Sequence, residues 1–442
     1  MVDGDLLTTV ALPKSSDDIV RKMRRASVAV RLALQLLAAP SRSNSVNNAL
    51  QREDGQDNRI SVSLTSTPTA DGTSMVSCRD PLRQPFASTS IWNTPIGSNA
   101  LLKPARLFSG SPRRPLPPRF HCDQDWFVTT QASDPLVEVH AGYFGNCSVQ
   151  GPVVGKTQLP HAFVTDCGPN NNAAAILQPD GRTLLQFQPI YRGEMGGPVM
   201  GWFKPNNGTG PLVPEAGDTC HGRDCDIRGN GTSGAHGGSQ LSSLGGTVRV
   251  GELLPNTGPI THVLKLELVA SQYFWWQANV TNYSTCWRWP ARTCDGYAPQ
   301  RYGGTDPDLQ PGSLLAVDAV SAKHLERNVT TVPGRKLFAA LRDYGGYIVD
   351  DIGSAREGAA FCAEHDVIDE VKRHYGWDMR YSDAAGNALP AINATNNASA
   401  FYWDLVAIFR ALSIVVNNGP QTIGGGGHPR VPAPPPLCPE GF

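Results

Sequence analysis

The sequence predicts a mainly β fold, an antiparallel sandwich or jelly-roll-like architecture with a few helices towards the C-terminus. Short apolar or alternating segments bounded by Gly, Pro, Asn or Asp fill the first two thirds of the chain, as expected for half-buried strands. Helical spacing of apolar residues appears only in the last third. Because strands and helices do not alternate, a TIM barrel is disfavoured.

Several segments have the pattern of strands. They are WFVTT from Trp126, LVEVHAGYF from Leu136, AAAILQ from Ala173, TLLQFQPIYR from Thr183, GTVRVGELL from Gly246 and THVLKLELVA from Thr261. The turn formers Pro179, Asp180 and Gly181 stand between the third and fourth of these segments. These two segments are therefore expected to pair as a hairpin.

The segments with the pattern of helices all lie late in the chain. Over 335–344, Leu337, Phe338 and Leu341 share one face, and Gly345 is placed to end the helix. Further helices are expected over 356–375 and 400–414, where apolar residues recur three and four positions apart.

Composition divides the chain into four stretches. Residues 1–40 indicate a leader and signal region, and a start at Met23 would give a conventional signal peptide. Residues 41–77 are rich in Ser, Thr, Asn and Asp and predict a disordered spacer. Residues 78–420 are expected to form a single β-rich domain, and residues 421–442 a Gly/Pro-rich tail.

Charge and hydropathy argue against several partners. The chain carries 38 Lys and Arg against 39 Asp and Glu, a formal net charge of −1. A general electrostatic attraction to nucleic acid or anionic lipid is therefore not expected. No apolar run is long enough for a transmembrane helix, so we expect no membrane insertion. We expect a monomer.

Ten cysteines and eight N-glycosylation triplets indicate a secreted, disulfide-bonded glycoprotein. Cys220/Cys225 and Cys286/Cys294 are close pairs among loop formers and are expected to form short disulfides. Zinc binding is the alternative, but neither gap has the two-residue spacing that is typical of zinc ligands. The glycosylation triplets begin at Asn146, Asn207, Asn230, Asn279, Asn282, Asn328, Asn393 and Asn397.

The segment LRDYGGYIVDDIGS, which starts at Leu341, holds the first candidate catalytic groups. Asp350 and Asp351 follow an apolar strand, and neighbouring strand residues point to opposite faces. At most one of the two can therefore face a cleft on the side of Ile348. A carboxyl group at the end of a buried strand can have a raised pKa, as a general acid requires. The alternative is a structural turn or helix cap.

A second candidate group surrounds the glycine-rich segment GNGTSGAHGGSQLSSLGG, which starts at Gly229. Glycine allows the backbone to approach a ligand closely, so His236 is expected either in a cleft or hydrogen-bonded within the loop. The segments that follow add Arg249, Glu252 and His262. Alternation places His262 among leucines, where a core role is the alternative.

No metal ion or cofactor is expected in the site. A structural calcium ion could be held by Asp218, Asp224 and Asp226, although their segment does not match the spacing of an EF-hand. A Ser-His-Asp triad is disfavoured because the chain has no Gly-x-Ser-x-Gly motif.

These groups favour carbohydrate chemistry, with a polysaccharide or glycan as the partner. Hydrolysis of a glycosidic bond needs two carboxyl groups across the bond. Glu252 with Asp350 or Asp351 is the candidate pair, and His236 and Arg249 would orient the sugar. The sequence thus predicts a glycoside hydrolase that acts on extracellular or cell-wall polysaccharide.

Two other hypotheses stay open. A polysaccharide lyase would use His236, His262 or Tyr347 as its base and Arg249 to neutralise the carboxylate of a uronate. A non-catalytic glycan-binding or wall structural protein would need only aromatic stacking surfaces and surface glycans.

Four stretches of the chain resemble a group of uncharacterised secreted microbial proteins. They are FASTSIWNTPIG from Phe86, AHGGSQLSSLGGTVRVGEL from Ala235, LRDYGGYIVDDIG from Leu341 and IGGGGHPR from Ile423. The resemblance would span Cys78 to Cys438. It implies a single extracellular domain beside carbohydrate-rich surfaces, and it assigns no catalytic residue. The many cysteines and glycosylation triplets indicate a eukaryotic version of such a protein.

Overall fold

The computed structural model describes most of the chain after residue 77. The described ranges are 78–109, 125–142, 151–165, 171–201, 225–277, 285–352, 358–379 and 397–440. All of them belong to one compact unit, Ser74–Phe442. The leader and the spacer that the sequence predicts lie outside the described residues.

The described elements are mostly strands, and the helices lie mainly in the C-terminal half, so the mainly β class is confirmed. The strands are β1 Leu102–Pro104, β2 Trp126–Thr129, β3 Leu136–Ala141, β4 Val153–Gln158, β5 Ala174–Leu177, β6 Leu184–Phe187, β7 Ile190–Tyr191, β8 Val199–Gly201, β9 Leu264–Leu268, β10 Leu314–Val317, β11 Gly346–Asp351, β12 Ala359–Phe361 and β13 Leu412–Val415. The helices are α1 Ala270–Tyr273, α2 Ala298–Arg301, α3 Ala319–Asn328, α4 Val332–Asp343, α5 Val367–Tyr375 and α6 Asn397–Arg410, followed by a 3₁₀ turn at Ile423–Gly425.

The strands form three sheets, and each sheet contains one parallel pair. The largest sheet has the order β1-β13-β10-β11-β9-β12, a second has β2-β5-β6, and a third has β4-β3-β8-β7. The parallel pairs are β9–β11, β2–β5 and β3–β8, while the other pairs are antiparallel. The sheets are thus mixed rather than wholly antiparallel.

The large sheet is buried on both faces. Leu264, Leu266 and Leu268 of β9 pack into a core that they share with α3 to α6. Tyr347 and Val349 of β11 point the other way, into a second core that is formed by loop residues and by β5 and β6. Alternating strand residues therefore contribute to two separate cores.

Several predicted elements are confirmed. β5 and β6 pair as the expected hairpin around Gly181, which has φ +67°. The helix expected over 335–344 is α4, and Gly345 follows it with φ +81°. The bridge Cys286–Cys294 is present, and Cys225 is also disulfide-bonded, while Cys220 lies outside the described residues.

Three predicted segments fold differently. The segment 246–254 forms turns instead of a strand, because Gly246 and Gly251 adopt φ of +79° and +91°. Of the helix expected over 356–375, residues 359–361 form the edge strand β12, and α5 begins only at Val367. The last predicted helix ends at Arg410, and the apolar run after it is β13. A short buried apolar run has no period that separates a strand from a helix.

The two ends of the described chain lie together. Cys78 is bonded to Cys438, and Gly97 forms a bridge with Pro429. The stretch 421–440, which composition set apart as a tail, therefore runs back along the first described segment. None of the helices in the described ranges has the length and apolar character that a membrane crossing requires.

Candidate active site

Three carboxyl groups, Asp295, Asp350 and Asp351, meet at the end of β11, and we call them the carboxyl cluster. Asp295 directly follows the Cys286–Cys294 bridge. Two of the carboxyl groups lie next to Gly238. A Cβ there would lie 2.7 Å from Asp350 Oδ1 and 3.3 Å from Asp295 Oδ2. These two oxygens are therefore no more than about 6 Å apart.

A shift in strand register decides which face of the sheet Asp350 and Asp351 each occupy. Ile348 pairs with Leu266 of β9, but the next pair is Asp350 with Glu267, so Val349 is an extra residue. Such a bulge re-aims the side chains that follow it. Asp350 therefore lies on the side of Glu267 and His236, and Asp351 lies on the side of Leu268.

Asp350 is the most deeply buried member of the cluster. Its Oδ1 accepts the backbone N–H of Asp351 at 2.8 Å, and its Oδ2 accepts Nε2 of Gln188 at 3.3 Å. The Gln188 amide is oriented because its Oε1 accepts the N–H of Gly237 at 2.7 Å. Burial, and then repulsion from Asp295, raise the pKa of Asp350 well above its ordinary value. Both effects favour the protonated form of Asp350.

Asp351 is half-buried and reaches solvent. It accepts the N–H of Ala270 at 2.7 Å and the hydroxyl of Tyr297 at 3.0 Å. Burial raises the pKa of Asp351 to about 6; repulsion from Asp295 acts in the same direction, while these hydrogen bonds and Arg301 oppose the rise. Asp351 can therefore hold a proton in weakly acidic solution and release it near neutrality.

Two tyrosines complete the site. Tyr297 donates to Asp351, and Tyr302 donates its hydroxyl to Asp295 Oδ2 at 2.8 Å. Burial and the neighbouring carboxylates raise the pKa of both phenols far above the usual range. Both tyrosines therefore remain protonated hydrogen-bond donors and are poor candidates for a base.

His236 lies behind the cluster and is fully buried. Its Nδ1 is 3.6 Å from Asp350 Oδ2, and its Nε2 is 4.0 Å from Glu267 Oε1. Burial and the positive charge of Lys265 lower the pKa of His236 to about 3, so the ring is neutral at physiological pH. The glycine-rich segment that carries His236 is attached to β11, because Ser239 N–H donates to Val349 O at 3.2 Å.

The remaining residues proposed from the sequence lie in other surroundings. Glu252 binds His262 Nε2 at 3.0 Å and the N–H of Arg249 at 2.7 Å, while Arg249 pairs with Glu364 at 3.0 Å. Tyr347 is a core residue whose ring meets Trp92 edge-on at 5.7 Å. In the part of the chain that the structure describes, no hydrogen bond or ion pair joins Glu252 to either aspartate.

The structure thus brings Asp350, Asp351 and His236 together and gives Glu252, Arg249, His262 and Tyr347 different partners. The segment 246–254, which carries Glu252 and which the sequence predicts as a strand, is a series of turns. Sequence reasoning missed the site residues Asp295, Tyr297, Tyr302, Gln188 and Glu267. The only local signal was a carboxylate directly after a cysteine of a short bridge, in CDGY.

Metal binding finds little support among the described residues. His236, Glu267 and Cys362 place potential ligand atoms within 4.8 Å of one another. Cys362 is disulfide-bonded, however, and only a thiolate sulfur would be a ligand for zinc. For the calcium hypothesis, Asp226 binds Arg182 at 2.8 Å, and Asp218 and Asp224 lie outside the described residues. A calcium site there stays a prediction.

We expect Gly237→Ala to destabilise the protein. A Cβ at Gly237 would overlap Asp350 Oδ2 and lie 2.9 Å from Gln188 Nε2, and both groups are buried and hydrogen-bonded to each other. Overpacking of this kind costs about 1–3 kcal/mol, which urea unfolding would measure. The control is Gly258→Ala, where nothing lies within 4 Å and no loss is expected. Equal stability of the two variants would contradict this packing.

The His262–Glu252 pair predicts pH-dependent stability. Burial disfavours the charge on His262, but the Glu252 carboxylate outweighs it and raises the pKa above the ordinary value. Stabilisation by the pair is therefore complete below about pH 6.5 and is lost as the pH rises through the raised value. The stability difference between wild type and Glu252→Gln should shrink from pH 6 to about 9. Glu326→Gln, which removes an exposed pair with Arg342, should show no such trend.

The comparisons with known proteins leave the geometry as the only guide to function. No family model matches the chain, and searches of curated proteins and of solved structures found no match.

Proposed function

We propose that the protein is a secreted glycoside hydrolase that acts on extracellular or cell-wall polysaccharide, with the carboxyl cluster as its active site. The observation that carries the proposal is the meeting of Asp295, Asp350 and Asp351 at the end of one buried strand. Glycosidic bonds are cleaved between two carboxyl groups in opposite protonation states.

Asp351 is the general acid in this proposal, and Asp295 is the base or nucleophile. Both are partly exposed, whereas Asp350 is only 4% exposed. A pKa of about 6 lets Asp351 hold its proton in weakly acidic solution and give it to the leaving oxygen. Tyr302 donates its hydroxyl to Asp295 Oδ2, as suits an acceptor carboxylate in this role. Asp350 is a positioning residue, because its Oδ1 holds the backbone N–H of Asp351.

An extracellular location is also part of the proposal. Disulfides persist in oxidising compartments, and Cys78–Cys438 and Cys286–Cys294 are present. Asn230 and Asn328, which begin two glycosylation triplets, are exposed, as a glycan requires.

The lyase alternative has weaker support. Its base would be a tyrosine or a histidine, but Tyr297 and Tyr302 keep their protons, and His236 is 1% exposed. A non-catalytic glycan-binding role is compatible with the same fold. It differs from the hydrolase in requiring none of the three carboxyl groups.

The test is cleavage of a panel of neutral and acidic polysaccharides by the purified mature protein, measured as new reducing ends. Asp295→Asn and Asp351→Asn should each lower the rate by at least about 100-fold, as expected for loss of an acid or base. Glu326→Gln should keep full activity, because it removes only an exposed carboxylate on α3. The rate should fall as the pH rises above about 6, where Asp351 loses its proton.

Two outcomes would contradict the hydrolase, and a third would contradict the role of Asp351. Products with an unsaturated uronate would indicate the lyase. Glycan binding without any product, unchanged in Asp350→Asn/Asp351→Asn, would indicate the non-catalytic protein. Full activity of a folded Asp351→Asn variant, checked by circular dichroism and thermal unfolding, would remove Asp351 as the acid.

A further inference from the structure

Behind the carboxyl cluster, three buried side chains lie in a row. Glu267, His236 and Asp350 are 2%, 1% and 4% exposed. The imidazole lies between the two carboxyl groups, with Nε2 at 4.0 Å from Glu267 Oε1 and Nδ1 at 3.6 Å from Asp350 Oδ2. Both distances exceed a formed hydrogen bond, but such contacts often tighten when a site is occupied.

One atom in this row has no hydrogen-bond partner among the described residues. It is Nδ1 of His236, a buried ring nitrogen that faces Asp350. A buried polar atom without a hydrogen-bond partner is energetically costly, so Nδ1 needs an acceptor or donor nearby. The carboxyl proton of Asp350 in turn requires a hydrogen-bond acceptor. Each oxygen of Asp350 accepts one N–H, but Oδ2 is the oxygen that lies 3.6 Å from Nδ1 and can carry the proton towards it.

We propose that His236 is a positioning residue that accepts the proton of Asp350 in a hydrogen bond at Nδ1, while its own ring proton sits on Nε2 and points at Glu267. The inference concerns the same site as the proposed function, and the assignment of the proton rests on the contact between the two groups together with the raised pKa of Asp350 and the lowered pKa of His236. No bond is broken, and both groups are neutral.

On balance, the charged groups that face this pair favour the neutral state. On the His236 side, Lys265 of β9 and Asp125, which precedes β2, form a buried ion pair at 2.9 Å. Lys265 disfavours a positive imidazole, and Asp125 only partly offsets its charge. Glu267 of β9 lies 4.0 Å from Nε2 and could accept a hydrogen carried on that nitrogen.

On the Asp350 side, the facing charges are Asp295 and Asp351, and both oppose a third negative charge. The opposite arrangement would direct an Nδ1–H at an ionised Asp350. That carboxylate would then lie buried beside two other carboxyl groups, with only a neutral ring, the Gln188 amide and the N–H of Asp351 to stabilise it. Burial of a charge under these conditions is strongly unfavourable.

The consequence for the site is a fixed neutral carboxyl beside Asp351, whose pKa is raised to about 6. If Asp350 were ionised, its charge would raise the pKa of Asp351 further and delay the release of its proton. His236 would thereby keep Asp351 responsive near neutral pH without contacting the substrate.

The first test needs no substrate. Long-range ¹H–¹⁵N correlation spectra of protein labelled in its histidine rings report tautomer and charge, and His236 is assigned by its loss in His236→Asn. We expect a neutral ring with hydrogen on Nε2, unchanged between about pH 5 and 8. A titrating His236, or hydrogen on Nδ1, overturns the proposal.

The second test compares two variants. His236→Asn can place a side-chain oxygen near the position of Nδ1, whereas His236→Leu removes the acceptor. Carboxyl ¹³C titration, with Asp350 assigned through Asp350→Asn, should show a pKa of Asp350 lower by about one unit in the leucine variant than in the asparagine variant. Equal values overturn the proposal.

If the leucine variant does not fold, the wild-type tautomer alone decides. Absence of any cleavage by the wild-type protein would overturn the hydrolase and leave this result standing, so the two failures are distinguishable.

Discussion

The parallel pairing of β9 with β11, and the single extra residue within it, set the position of the site. Up to Ile348 the two strands alternate in step, and their apolar side chains pack towards the helices. Val349 then breaks the register, so that Asp350 enters the polar side of the sheet and Asp351 stays at its edge. Without that residue the two aspartates would exchange faces, because side chains alternate with a period of two.

The polar side of this sheet contains several buried charged side chains. Lys265 and Glu267 lie on β9 where leucines occupy the alternate positions, and Lys265 is fully buried against Asp125. Buried ion pairs recover their desolvation cost only when their hydrogen bonds are satisfied. Lys265 also donates to Ser243 O at 3.0 Å, and Thr247 donates to Asp125 at 2.8 Å. The network thus holds the glycine-rich segment on the sheet, and that segment covers Asp350.

The covering segment explains why glycine occurs there. At Gly237 and Gly238 a side chain would occupy the space next to the carboxylates, and Gly238 also has φ +61°. Gly245 and Gly246 have a similar role further along, where the ring of Trp92 lies directly against the backbone. The backbone can therefore approach both the carboxyl cluster and the aromatic core, as the glycine content of the sequence suggested.

Local pattern was sufficient for the mainly β class, the hairpin at Gly181, the helix before Gly345, the Cys286–Cys294 bridge and the pairing of carboxylates with a buried strand end. These features depend on neighbours within a few positions, where alternation and turn chemistry act. The partners of Asp350 depend on the tertiary structure alone. Gln188 is 162 positions away, and Asp295 arrives from a separate loop. No sequence periodicity links such residues, because only the packing of sheet, loop and helix decides which side chains are buried together.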